Sequence, residues 1–249
     1  MAGLVSYELR DAVAVLRVQR EDKRNAFNRE LSLAFMEAVD AAEADGDVRV
    51  LVLTGSGEGF CAGADMSEAL ETMDVGGRGD PMAQAVVRVA AFSKPVIAAV
   101  NGYAFGGGAM LAIVCDLRIA SERASFRFPG ANYGLVVGGS QLPRIVGAPK
   151  AKELIFTARV VEAGEAERIG LVNRMVPHDE LDAAVWELAR QIAAQSPDAV
   201  RWSKAVIDAA TTVEKGADLE LEANRKLRGS SDHISRFREA TDRVAKRGG

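Results

Sequence analysis

The sequence predicts an α/β fold made of repeated strand–strand–helix units and closed by a helical C-terminal region. Three observations lead there. Short apolar runs recur through the first two-thirds of the chain, each ended by turn residues and separated from the next by a helical pattern. Two of these runs lead directly into Gly-rich segments. From about Ala148 onward the apolar spacing is helical throughout. Strands that alternate with helices imply a largely parallel sheet. We expect a core over residues 1–195 and a C-terminal helical region over 196–249.

The elements follow in chain order. Val13, Val15 and Val18 alternate as in a strand, which pairs with Val5 to Arg10. Asn28 reads as the N-cap of a helix running to about Glu43, with Leu31, Phe35, Ala38 and Val39 on one face. Val48 to Leu53, Pro95 to Val100 and Leu117 to Ala120 read as buried strands. The polar stretch Asp74 to Asp80, with Gly76 to Gly79 inside it, reads as a mobile surface loop. Later helices are expected at Ala148–Ala158, Glu162–Arg168, Leu181–Gln195 and Pro197–Ala210, with two more to the end.

Composition narrows the function. Of 249 residues, 48% are hydrophobic and 27% charged, enough apolar side chain for a sizeable core, and the net charge of −4 is spread without a basic stripe. Nucleic acid is therefore not an expected partner. No apolar run approaches the ~20 residues that span a bilayer, and the first residues lack a secretory pattern. Two cysteines, Cys61 and Cys115, sit in apolar or Gly-rich surroundings and suggest a reducing, cytoplasmic setting rather than a disulfide framework. His178 and His233 have no ligand spacing, so a metal site is not expected.

The chemistry-bearing segments are the Gly-rich ones. The first reads Phe60-Cys61-Ala62-Gly63-Ala64-Asp65-Met66. The second runs from Asn101-Gly102 through Gly106-Gly107-Gly108 into the apolar stretch Ala109 to Cys115. Glycines opening a helix expose free N–H groups at its positive end and let a ligand approach the backbone. One amide from each segment would make an oxyanion hole. Tight turns alone would also account for such glycines. Other templates fail: Gly55-Ser56-Gly57-Glu58-Gly59-Phe60 lacks the last glycine of a dinucleotide fingerprint, and neither a Gly-x-Ser-x-Gly elbow nor a Walker sequence occurs.

Taken jointly, these segments resemble the crotonase (enoyl-CoA hydratase/isomerase) superfamily over nearly the whole chain. The resemblance begins at Arg20-Glu21-Asp22-Lys23-Arg24-Asn25-Ala26-Phe27-Asn28. It continues through Leu51 to Gly55, Phe60 to Asp65, Lys94 to Gly102 and Gly106 to Gly108, and reaches Arg144-Ile145-Val146-Gly147 and the helical C-terminus. It implies a spiral of ββα units with a C-terminal helical trimerisation region. It also implies that an acyl-CoA thioester is bound, with CoA part of the substrate rather than a separate cofactor. By position, the oxyanion-hole amides fall on Ala64 and Gly107. CoA would run past Arg24, Ala26, Ala62, Ala64 and Met66. Lys246 near the chain end would meet CoA from a neighbouring subunit of a homotrimer or homohexamer. Asp65 is expected to brace its loop.

The sequence departs from this family where proton transfer should occur. Hydration needs one group to take a proton from water and another to give one to carbon. The two glutamate positions of a hydratase carry Met110 and Gly130, and a third acidic position used by some relatives carries Gly138. Neither methionine nor glycine moves protons. Glu68, Glu71 and Asp74 follow the first Gly-rich segment, and Glu68 is the speculative replacement. Asn132, Tyr133, Ser140 and Gln141 offer polar but non-acidic groups. Three readings remain open. The chain is an enzyme of non-hydratase chemistry, such as decarboxylation, isomerisation or hydrolysis; or a non-catalytic acyl-CoA-binding protein; or a hydratase/isomerase with a displaced acid.

Overall fold

A computed structural model describes residues 3–73, 80–211 and 214–247. The expected loop at 74–79 lies outside them. The chain opens with a hairpin, β1 (Val5–Arg10) and β2 (Val13–Val18), whose two-residue turn holds Asp11 and Ala12 at positive φ. Asn28 then caps α1 (Arg29–Ala44), its Oδ1 accepting from Leu31 N–H at 2.9 Å. Leu31, Phe35 and Val39 bury the expected face, while Ala38 is only partly buried.

Two-strand units follow. β3 (Val50–Gly55) leads to β4 (Gly59–Cys61), then α2 (Met66–Met73) and α3 (Pro81–Ala90). β5 (Val96–Val100) leads to β6 (Tyr103–Phe105) and α4 (Gly107–Val114). β7 (Leu117–Ser121) leads to β8 (Ser125–Arg127), a short 3-10 turn at Gly130–Tyr133, α5 (Leu142–Val146) and α6 (Ala148–Thr157). The remainder comprises β9 (Val161–Glu162), α7 (Ala163–Arg168), β10 (Arg174–Val176), α8 (Leu181–Ala193), α9 (Pro197–Thr211), α10 (Glu214–Leu227) and α11 (Ser231–Arg247). β3 starts two residues later than its apolar run suggests, because Val48 is buried but lies before the ladder.

The five long strands and β10 form one sheet in the order β1-β2-β3-β5-β7-β10, parallel except for the opening hairpin; the other short strands form a second, β4-β6-β8-β9. Each unit thus contributes one strand to each sheet before its helix, a spiral of ββα turns. Side-chain alternation divides the core. Val50, Val52, Ile97, Ala99 and Ile119 face α8, packing on Leu181, Val185 and Ala189. Leu51, Leu53, Val96, Ala98 and Val100 face the other way, into the larger core shared with Phe35, Phe60, Phe126 and Phe128. Among the described residues, no helix is long and apolar enough to cross a membrane.

One buried polar residue ties the first unit to the second. Asn25 is fully buried at φ 55°. Its side-chain amide donates to the carbonyls of Ser56 (2.9 Å) and Gly59 (2.8 Å), and its Oδ1 accepts from Arg20 N–H at 3.0 Å. Asn25→Ala would strand two carbonyls and an amide and put a Cβ residue without local bonds into the left-handed region. We expect a loss of about 3 kcal/mol, read by chemical denaturation; a loss below about 1 kcal/mol would show that water replaces these bonds.

Candidate active site

The site forms where two short parallel strands end together. β4 and β6 are neighbours, so the segments after their C-terminal ends, 62–65 and 106–108, emerge side by side. Their backbones touch. A methyl group on Gly108 would lie 2.1 Å from the Cys61 carbonyl oxygen, and one on Gly63 would lie 3.0 Å from Gly107 N. Gly63 and Gly106 also hold positive φ, 101° and 54°. Glycine is required here by both space and conformation.

Among the described residues, the amides of Ala64 and Gly107 are both left available. Phe27 makes a parallel bridge with this segment: its N–H donates to Gly63 O and its C=O accepts from Asp65 N–H, each at 2.8 Å. The ladder skips Ala64, whose own N–H therefore points away from Phe27. Gly107 is the first residue of α4, where an N–H has no intrahelical acceptor. The same ladder joins the expected CoA-facing residues, because Ala62 N–H donates to Arg24 O at 3.1 Å. Residues 24–27 and 62–65 thus run side by side, with Arg24 exposed and held at φ 55°, and Met66 begins α2 just beyond them. The Lys246 side chain lies outside the described residues; its backbone is in the last turn of α11.

Asp65 braces this edge. Its Oδ2 pairs with Arg20 at 2.7 Å, and Arg20 also donates to Ala26 O at 2.9 Å. Its Oδ1 accepts from the Ser67 hydroxyl and N–H, capping α2. Burial alone would raise this carboxyl, but the hydrogen bonds from Ser67 and Arg20, with the Arg20 charge, hold it below the usual carboxylate range. Cys61 is different: burial pushes its thiol up to about 12, so it is a neutral core group and not a nucleophile. Cys115 is likewise buried and pushed up to about 12 by burial.

The three vacated acid positions meet in space. Met110 sits one turn into α4, and its Sδ lies 3.3 Å from where a Cβ on Gly138 would be. Gly130 is buried, and a Cβ there would fall 2.9 Å from Val137 Cβ and 3.0 Å from Leu135 O. The glutamate is not simply missing at 130; the backbone of 135–137 occupies its path. Glu68 has its carboxylate on the first amide of α1, accepting from Arg29 N–H at 2.7 Å. The Glu71 side chain and Asp74 lie outside the described residues.

Two residues that local sequence gave no reason to single out complete the wall. Glu220 on α10 accepts from Gly138 N–H (2.9 Å) and Ser140 N–H (2.8 Å), one bond to each carboxylate oxygen. Asn224, one turn on, accepts from Val136 N–H and donates to Val136 O. His233 on α11 is fully buried beside the same turn, its Nδ1 2.5 Å from Tyr133 O and its Nε2 without a partner among the described residues. Gln141 bonds Arg144.

Comparison with known proteins agrees with this architecture. A family model described as enoyl-CoA hydratase/isomerase matches residues 8–247. The chain belongs to the enoyl-CoA hydratase/isomerase family, the crotonase superfamily. It is 41% identical over 228 residues to a crotonyl-CoA hydratase of Syntrophomonas wolfei, covering 87% of this chain and 86% of that protein. It is 42% identical over 210 residues to a short-chain-enoyl-CoA hydratase of Clostridium acetobutylicum, covering 82% and 80%. Among solved structures it resembles an enoyl-CoA hydratase/isomerase from Xanthobacter autotrophicus Py2, at 31% identity and TM-score 0.85 over 97% of this chain and 94% of that one. It also resembles a monofunctional enoyl CoA isomerase from M. smegmatis, at 33% identity and TM-score 0.73 over 84% and 93%.

Asp65→Asn should loosen the Arg20 anchor and weaken acyl-CoA binding. Because the folded carboxyl titrates below its unfolded value, its contribution is present above the unfolded pKa and is lost as pH falls through the folded one. The stability gap between wild type and Asp65→Asn should therefore be full at pH 7 and close in acid below pH ~4. A gap independent of pH across that range in denaturant titrations would contradict the assignment.

Proposed function

We propose that this protein binds an acyl-CoA thioester, stabilises the enolate of its acyl group with the amides of Ala64 and Gly107, and carries out chemistry other than plain hydration. The observation that carries this reading is the packing of Met110 against Gly138, with Gly130 sealed by Val137, at the positions where a hydratase holds its acids. Two converging amides suit any reaction that places negative charge on a thioester oxygen, each donor contributing ~2.7–4 kcal/mol in the transition state. Decarboxylation, isomerisation and thioester hydrolysis all pass through such an oxygen. Arg24, Ala26, Ala62, Ala64 and Met66 would line the CoA, with Lys246 near a phosphate. CoA enters as part of the substrate, and the chemistry calls for no separate cofactor.

The test is an assay with crotonyl-CoA, following loss of the conjugated thioester absorbance, beside calorimetry with the same ligand. Each missing proton-transfer group is worth ~10²–10⁴-fold, so hydration should run at least ~100-fold below the Syntrophomonas wolfei relative while binding is retained. Hydration at the relative's rate would overturn the reading in favour of a hydratase with a displaced acid. Tight binding with no turnover of unsaturated, malonyl-type or saturated thioesters would favour a non-catalytic acyl-CoA-binding protein.

The same reading extends to assembly as a homotrimer or homohexamer in the cytoplasm. α9 carries Trp202, Val206 and Ile207 on one side, 72%, 63% and 61% exposed. An apolar stripe of this kind is costly in water and is covered by self-association. Trp202→Glu should lower the mass measured by light scattering to that of a monomer; an unchanged mass would place the subunit contact elsewhere.

A further inference from the structure

We propose that Met110 is a specificity-determining residue: it puts an apolar wall beside the thioester and makes the protein discriminate against acyl chains that carry a hydroxyl on the third carbon. The proposal rests on the acyl-CoA reading above and names the class of acyl group within it. Position is the first ground. Met110 stands one turn after Gly107 on α4, its N–H donating to Gly106 O at 3.0 Å. Residues three apart on a helix are neighbours, and a helical side chain leans toward the N-terminal end, here toward the amide of Gly107. Leu111, the other side chain one turn on, is 1% exposed and belongs to the core, whereas Met110 is only partly buried. A thioester oxygen held on Gly107 N–H therefore has Met110 as the first open side chain along α4.

The surroundings of this thioether are the second ground. Met110 Sδ lies 3.3 Å from where a Cβ on Gly138 would be, and Phe128 Cδ1 lies 3.6 Å from the same point. Phe128 is fully buried. A second thioether covers Gly107 itself: Met82 Cγ and Cε lie 2.7 and 3.0 Å from where a Cβ on Gly107 would be, with Gly63 Cα at 3.5 Å. Met82 is 3% exposed, and Asp80 fixes its place by accepting from Met82 N–H at 3.0 Å to cap α3. With the thioester oxygen on the Ala64 and Gly107 amides, the second and third acyl carbons are the atoms that reach this wall. A thioether sulfur is polarisable but only a weak acceptor. A hydroxyl brought against it leaves water without finding an equivalent bond, while an alkyl group gains dispersion contacts. A 3-hydroxyacyl chain, the product of hydration, is thus a poor ligand, and a chain of the same length without the hydroxyl is a good one.

The experiment is calorimetry on the full chain with butyryl-CoA, 3-hydroxybutyryl-CoA and free CoA. The wild type should bind butyryl-CoA ~100-fold more tightly than 3-hydroxybutyryl-CoA, the discrimination an apolar pocket makes against a hydroxyl. Met110→Gln, close in length and able to donate and accept, should cut that ratio about tenfold, the equivalent of one net hydrogen bond, with free CoA binding unchanged. Met110→Leu should keep the ratio. Met110→Ala empties space beside Gly138 and should shift preference from butyryl-CoA toward the bulkier 3-methylbutyryl-CoA, which tests the same wall if the glutamine variant does not fold. Equal binding of butyryl-CoA and 3-hydroxybutyryl-CoA by the wild type would overturn the proposal and leave the acyl-CoA reading standing. So would a wild-type ratio in Met110→Gln, or an unchanged acyl preference in Met110→Ala. A wild type that binds none of these ligands would overturn the acyl-CoA reading as well.

Discussion

The site depends on one contact, the backbone-to-backbone approach of residues 61–64 and 106–108. It follows from the pairing of β4 and β6 as parallel neighbours, which sends both following segments out of the same sheet end. Glycine at 63, 107 and 108 removes the side chains that would otherwise hold these segments apart. Everything else supports that approach. Phe27 fastens one segment by a bridge that skips Ala64, α4 starts on the other, and Asn25, Arg20 and Asp65 lock the first segment to the N-terminal turn. An amide pair of this kind needs no proton transfer of its own, so it survives changes in the groups around it.

Beside this contact, positions 110, 130 and 138 carry Met, Gly and Gly and form a wall without acids. Met110 Sδ occupies the space beside Gly138, and the 135–137 segment lies in the path a side chain at 130 would take. A glutamate at 130 would meet Val137, and the side chain at 110 lies against Gly138. The wall is instead held from outside by Glu220 and Asn224, so the C-terminal helices take part in shaping the acyl end. Membership of the family therefore says what is bound more securely than what is done to it, since the binding edge and the reacting wall are built from different parts of the chain.

The sequence carried much of this. The helix cap at Asn28, the long strands, the final helices and the two Gly-rich segments were all legible, because each rests on local spacing or on a residue type with a single physical use. β4, β6 and β8 were not legible individually, since three residues show no period. Yet these short strands form the second sheet and bring the two Gly-rich segments together. Glu220 and Asn224 were equally invisible: on a polar amphipathic helix they look like solvated residues, and their bonds to 136–140 span eighty positions or more. Glu68 illustrates the converse. It stands near the site in sequence, but its carboxylate serves the amide of Arg29 at the start of α1, because a free helix N-terminus attracts the nearest anion.

By itself, then, the sequence determined the family, the two Gly-rich segments and the absence of acids at 110, 130 and 138, because these are properties of residue type and short-range order. Tertiary structure decided which carboxylate holds the 138–140 loop, which apolar helix face is left uncovered, and whether the position at 130 is open or filled. Those outcomes depend on which distant segments pack together, and the packing is set by sheet order and the burial of whole faces rather than by any local pattern.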